Sequence, residues 1–283
     1  KRNSMRNSFL FIIMSLLFVL LLSACNSNGS EKAASEGEAK KEIIFGFTPG
    51  PYSDQVKKGI EPYLKNKGYA VKYVEISDPN QPNFALAEGS IDVNVFQHTA
   101  FFKNFINENK LELTETIKVP TAPMGLYSDK HDSKDELKDG QKVAIPNDPA
   151  NVARALRMLE QIGWLQLKKG YDPLTVSKKD IIDQKVNFSF VEVEQAQVPR
   201  ILPDVDYAVA NGYTILVSDR KLSSALYLED PPFEYQNFVA VRTEDKNKRY
   251  VKEIINAYHS PEFQKAIESN TEFEGFHRPD YFK

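Results

Sequence analysis

Thiol chemistry is nearly absent from this sequence. One cysteine, Cys25, stands among 283 residues, so no disulfide can form within the chain and no second thiol is left for catalysis. Histidine is scarce as well. His98, His131, His259 and His277 lie far apart and lack the spacing of a metal-ligand set. A Gly-x-Ser-x-Gly elbow, a Walker loop and a His-Glu-x-x-His motif are all missing. Carboxylates are plentiful, but no pair stands out as an acid/base couple. The expectation is a protein that is not an enzyme and carries no metal or cofactor. A formal net charge of −3 offers no basic face for phosphates, and no zinc-finger, recognition-helix or RNA-binding signature occurs, which sets nucleic acid aside as a partner.

Long apolar runs are also lacking. The longest, Phe9 to Leu22, has about 14 residues against the roughly 17–25 of a membrane-spanning helix, and Lys1, Arg2 and Arg6 precede it. That combination reads as a signal peptide over residues 1–24. The "LSAC" that follows, Leu22 to Cys25, resembles a bacterial lipobox, which makes Cys25 the expected site of lipidation. Residues 25–41 are small, polar and charged, with almost nothing to bury, and read as a tether. The body beyond it is expected outside the cytoplasm, held to the membrane by the lipid.

What is present from Glu42 onward is an alternation of short β-branched or aromatic runs with amphipathic segments. The spacing predicts a strand at Ile43–Phe47 and a helix from Ser53 with Val56, Ile60 and Leu64 on one face and Gly68 at its end. Further strands are predicted at Val71–Ile76 and in "IDVNVF", with helices in "PNFALAEGS" and "FFKNFINENK". A second series starts at Gly140–Asp148 and continues through "PANVARALRMLEQIG", "VNFSFVEV", "AQVPRIL" and "VDYAVANGY". Such alternation argues for parallel sheets covered by helices. The expected fold class is α/β, two lobes joined by two crossovers, "APMGLYS" outward and "NFVAVR" back, able to close on a ligand like a hinge. The expected boundaries are residues 42–126 plus 241–283 for one lobe and 127–240 for the other.

Four segments draw attention as candidate chemistry. His98 stands at the exit of a strand, where open α/β sheets gather ligand contacts, with Phe96, Phe101 and Phe102 around it. It fits either a wall of a half-apolar pocket or a cap on the next helix with the phenylalanines in the core; Phe102 and Phe105 favour the core. Arg154 follows a plausible N-cap, Asp148, and Pro149 at the first helical position. It lies about 200° from the Val152, Leu156 and Leu159 stripe, so it is either solvated or aimed into a cleft to meet a carboxylate. Asn211 and Asn237 fit turns as well as they fit cleft amides.

Six blocks, "GFTPGPYSDQV", "QPNFALAEGSIDVNVFQH", "PMGLYS", "VAIPNDPANVARALRMLE", "AQVPRILPDVDYAVANGY" and "NFVAVR", resemble in order and spacing the NlpA lipoproteins, the methionine-binding substrate receptors of ABC importers. The resemblance runs from about Ile43 to the C-terminus. It implies a periplasmic-binding-protein fold, with Phe96, His98 and Phe101 walling the ligand side chain, Arg154 on its carboxylate, and Asn211 and Asn237 around its backbone polar groups. It also implies a monomer with no cofactor, whose partners are an amino acid, methionine first, an ABC permease with its cytoplasmic ATPase, and the membrane through the lipid. Three features depart from the family pattern: Pro79 and Phe101 where tyrosines are common, and "EDPPFEYQN" before the last strand. They leave open another apolar amino acid or a short methionine-containing peptide. A surface lipoprotein with an adhesin or signalling role and a secreted enzyme on the same fold are the rival readings.

Overall fold

The computed structural model describes residues 40–282. The signal peptide, Cys25 and nearly all of the tether therefore lie outside the described residues. Among those described, no helix is long and apolar enough to cross a membrane.

Two five-stranded sheets organise the body. The first has the order β2-β1-β3-β12-β4, from β1 (Glu42–Phe47), β2 (Ala70–Glu75), β3 (Val93–Asn94), β4 (Leu113–Lys118) and β12 (Phe238–Arg242). The second has the order β11-β5-β10-β6-β9, from β5 (Gly125–Tyr127), β6 (Lys142–Pro146), β9 (Ser189–Val193), β10 (Tyr207–Ala210) and β11 (Tyr227–Leu228). A small pair, β7 (Leu165–Leu167) with β8 (Ile181–Gln184), was not anticipated from the pattern.

Strand alternation shows why both sheets are covered on two faces. Ile43, Phe45 and Phe47 of β1 enter one core cluster, while Ile44 packs with Leu86, Ile91 and Phe238 on the opposite side. In β10, Tyr207 and Val209 join the cluster built on Trp164 and Leu156, and Ala208 and Ala210 join that of Val198 and Leu202. Burying both faces accounts for the near-continuous apolar runs of these strands.

The sheets are mixed, not purely parallel. Strands β1–β2, β1–β3, β6–β9 and β6–β10 run parallel, whereas β12 pairs antiparallel with β3 and β4, and β5 pairs antiparallel with β10 and β11. The physical reason is topological: β5 and β12 carry a chain arriving from the opposite lobe, and it enters in the reverse direction. The same pairing corrects the expected boundaries. Gly125 and Leu126 pair in the second sheet, and Phe238–Ala240 pair in the first, so "NFVAVR" is a sheet strand and not a crossover. The connections are residues 119–124 outward and 229–237 back, and they hold each other: Glu229 N–H donates to the Met124 carbonyl at 3.1 Å and Asn237 N–H to Thr121 Oγ1 at 2.8 Å.

The first helix, α1, runs through Pro51–Gln55, a π-helical turn at Val56–Ile60, and Glu61–Asn66. Pro62 explains the widened turn, because it lacks an N–H and its ring crowds the carbonyl four residues back. Val56, Ile60 and Leu64 are buried as the pattern predicted. The helices that matter for the site are α2 (Gln81–Glu88), α3 (Thr99–Asn109), α4 (Pro149–Gln161) and α5 (Gly212–Val217); α6 (Arg249–Tyr258) and α7 (Pro261–Glu268) close the first lobe.

Candidate functional site

Two helix starts face each other across the cleft. In the first lobe β3 leaves the sheet and the chain enters α3 through His98, whose Nδ1 accepts the Phe101 N–H at 3.2 Å. In the second lobe β6 leads into α4 through Asp148, whose carboxylate accepts the Asn151 N–H at 3.0 Å, with Pro149 at the first helical position. A cavity lies between these two starts. Its walls include Phe96, His98 and Phe101 from one side, Asn151, Arg154 and Asn211 from the other, and Asn237 from the returning crossover.

The capping bond settles the tautomer of His98. Because Nδ1 accepts, the proton sits on Nε2, which donates to Asn151 Oδ1 at 3.1 Å across the cleft. Burial, reinforced by the Arg154 guanidinium, pushes the His98 pKa down to about 3, so the ring is neutral at ordinary pH. Its flank packs edge-on against Phe101 and Tyr235, and Phe96 meets Phe101 in the same manner.

Asn151 organises the opposite wall. Its amide nitrogen donates to both carboxylate oxygens of Asp148, at 3.1 and 2.9 Å, which turns Oδ1 toward the cleft. There it receives His98 and also Asn211 Nδ2 at 2.8 Å. Burial raises the Asp148 carboxyl above the usual range. The chain of bonds orients the Asn211 amide and leaves its Oδ1 buried without a partner. Gly212 is required beside it, since a Cβ there would stand 2.3 Å from the Pro123 carbonyl oxygen. Asn237 opens β12 next to His98, with which it forms an antiparallel bridge, and its carbonyl accepts the Val119 N–H at 2.9 Å.

Arg154 is buried, not solvated. Nε donates to Glu229 Oε2 at 3.1 Å and Nη2 to Oε1, while the guanidinium lies 5.1 Å from the centre of the Tyr235 ring. Glu229 Oε1 also takes the Met124 N–H at 2.7 Å. Among the described residues no hydrogen bond from Nη1 is found. The wall thus holds a cationic donor that makes no hydrogen bond, Arg154 Nη1, and a buried acceptor without a partner, Asn211 Oδ1. No group of three or more histidine, cysteine, aspartate or glutamate side chains among the described residues is arranged to hold a metal.

The family model of the NlpA lipoprotein matches residues 43–279. The chain belongs to the NlpA lipoprotein family. A D-methionine-binding lipoprotein MetQ of Salmonella typhi is 36% identical over 254 residues, 87% of this chain and 92% of that protein. Among solved structures, a periplasmic substrate-binding protein of an ABC transporter from Coxiella burnetii aligns with a TM-score of 0.78 at 35% identity, covering 84% of this chain and all (100%) of that one. A nutrient-binding protein from Burkholderia cenocepacia bound to methionine aligns with a TM-score of 0.76 at 34% identity, covering 82% and 97%.

All six residues singled out in this NlpA chain, Phe96, His98, Phe101, Arg154, Asn211 and Asn237, line the one cavity. For His98 the two alternatives merge, because the same ring caps α3 and forms the wall. Phe102 sits in the core, as its spacing favoured: its ring meets Phe238 edge-on, 5.0 Å between ring centres, in the first lobe. Pro79 also lines the cavity, as do residues that sequence reasoning missed, namely Tyr52, Gln97, Asn151, Gln195 and Tyr213. A signal existed for Asn151, which lies one helical turn before Arg154 and so shares its face. Tyr52 and Tyr213 lie inside motif blocks but carry no local mark; burial raises the pKa of both hydroxyls. The third departure, "EDPPFEYQN", supplies Glu229 and Tyr235, which hold Arg154 from behind.

Proposed function

We propose that this chain is the solute receptor of an ABC importer and takes methionine into the cleft between its lobes. The observation that carries the reading is the pairing of Arg154 Nη1 with Asn211 Oδ1 on one wall and aromatic rings on the other. A free cationic donor beside a free acceptor complements the carboxylate and ammonium of an α-amino acid, and burial of a zwitterion demands both. Phe96, His98 and Phe101 then surround the side chain, where a thioether gains about 0.3–1.5 kcal/mol per aromatic contact. Asn237 contributes its amide from the hinge side. Relatives named for methionine binding, and a related structure holding methionine, support the choice of ligand.

On this reading the body is an extracytoplasmic monomer anchored through a lipid on Cys25. It catalyses nothing and presents its ligand to a membrane permease driven by a cytoplasmic ATPase. A second ligand class, another apolar amino acid or a short methionine-containing peptide, has one observation in its favour: Pro79 and Phe101, the two positions that depart from the family pattern, both line the cavity. Isothermal titration with L- and D-methionine, norleucine, glutamate and glycyl-methionine tests the proposal. Methionine of one hand is expected to bind tighter than about 100 μM, a free energy near −5.5 kcal/mol. A flat titration with every member overturns the receptor reading, and tighter binding of norleucine or the dipeptide selects the second ligand class.

A further inference from the structure

Glu229 does not line the cavity. It stands behind Arg154 and faces a separate surface groove shared with Arg157, Glu160 and Asp230. The geometry points to Glu229 as the residue that sets which net charge the cleft accepts, an inference that rests on the amino-acid reading of the site. Both partners are buried, with side chains 3% and 5% exposed, and the fork of Arg154 closes on the carboxylate through Nε and Nη2. The Met124 N–H fixes the same carboxylate at the meeting of the two crossovers.

A lone buried guanidinium would attract any carboxylate, with or without an ammonium attached to it. With Glu229 in place the Arg154 charge is balanced at its own fork, and Asp148, the other carboxylate close behind this wall, is tied to Asn151 and adds no cation. Of the other ionisable groups at the cavity, His98 is bonded through both ring nitrogens, and burial holds the Tyr52 and Tyr213 hydroxyls protonated. A zwitterion adds no net charge to this wall. An anion adds a charge that nothing balances in a low-dielectric cleft, and the cost of that falls on binding. Glu229 is therefore a specificity residue acting through Arg154, and it never touches the ligand.

The test compares methionine with 4-(methylthio)butanoate, the same molecule without its ammonium, on the full protein and on E229Q. Wild type is expected to favour methionine by roughly 100-fold, and E229Q to shrink that preference at least about tenfold, with the anion itself binding more tightly than to wild type. If E229Q weakens both ligands equally, so that the ratio holds, Glu229 only orients Arg154 and the inference falls. The wild-type arm needs no variant to fold: a protein that binds methionine yet takes the anion within about tenfold also overturns it. Wild type that binds neither compound sinks the amino-acid reading itself, a result distinct from the other two.

Discussion

The two walls of the cleft are built by one device and end with opposite chemistry. On each, a strand runs out of its sheet, a side chain caps the next helix, and the first helical turn faces the other lobe. In the first lobe the cap is His98, neutral and flanked by Phe96 and Phe101. In the second it is Asp148, which stays behind the wall and passes its polarity forward through Asn151 to Asn211. The comparison teaches that the fold supplies positions and the residues at the first helical turn supply the chemistry. An apolar side chain and a charged backbone can then be read from opposite sides of a single ligand.

The comparison breaks most visibly at the polar wall. Arg154→Met is expected to lower methionine affinity by more than about 100-fold in calorimetry, and it also strands Glu229 as an unpaired buried charge, which costs about 3–5 kcal/mol of stability in denaturant melts. Unchanged affinity for any α-carboxylate ligand would remove Arg154 from the site.

The neighbouring pair Phe101 and Phe102 sharpens the division between wall and core. Phe102→Ala should destabilise the first lobe by about 3–5 kcal/mol while leaving the ligand preference intact. Phe101→Ala should cost less stability and instead reduce the advantage of methionine over alanine by roughly tenfold. Exchanged outcomes would mean that the wall has been assigned to the wrong ring.

The most gradual effect is the pH dependence carried by the aromatic wall. The folded pKa of His98, about 3, lies below the 6.5 of an unperturbed imidazole, so the unfolded chain binds the extra proton first. The stability that His98 contributes is thus fully present above pH 6.5. It declines as the pH falls from there toward 3, with a slope approaching about 1.4 kcal/mol per pH unit. His98→Asn keeps a capping side chain and should flatten that slope in melts between pH 7 and 4; an equal slope in both proteins would place the titration elsewhere.

Much of the scaffold was legible because it rests on local rules. The Val56, Ile60 and Leu64 stripe, the Asp148–Pro149 helix start and the apolar runs of β1 and β10 each follow from periodicity or capping within a few residues. Strand direction was not legible: which lobe a strand re-enters, and from which side, depends on chain segments far away, and β5 and β12 turned two expected parallel sheets into mixed ones. Asn151 and Glu229 escaped for a related reason. An asparagine on a helix and a glutamate in a proline-rich turn look solvated until their partners, 53 and 75 residues away in sequence, arrive.

By itself the sequence determined the α/β alternation, the family resemblance and the residue types available to a cleft, since patterning and motif order are properties of the chain alone. Only the tertiary structure decided their states. It made His98 both cap and wall, buried Arg154 against Glu229, and left Asn211 Oδ1 without a partner. Those outcomes rest on distances and burial between segments that meet only when the lobes pack.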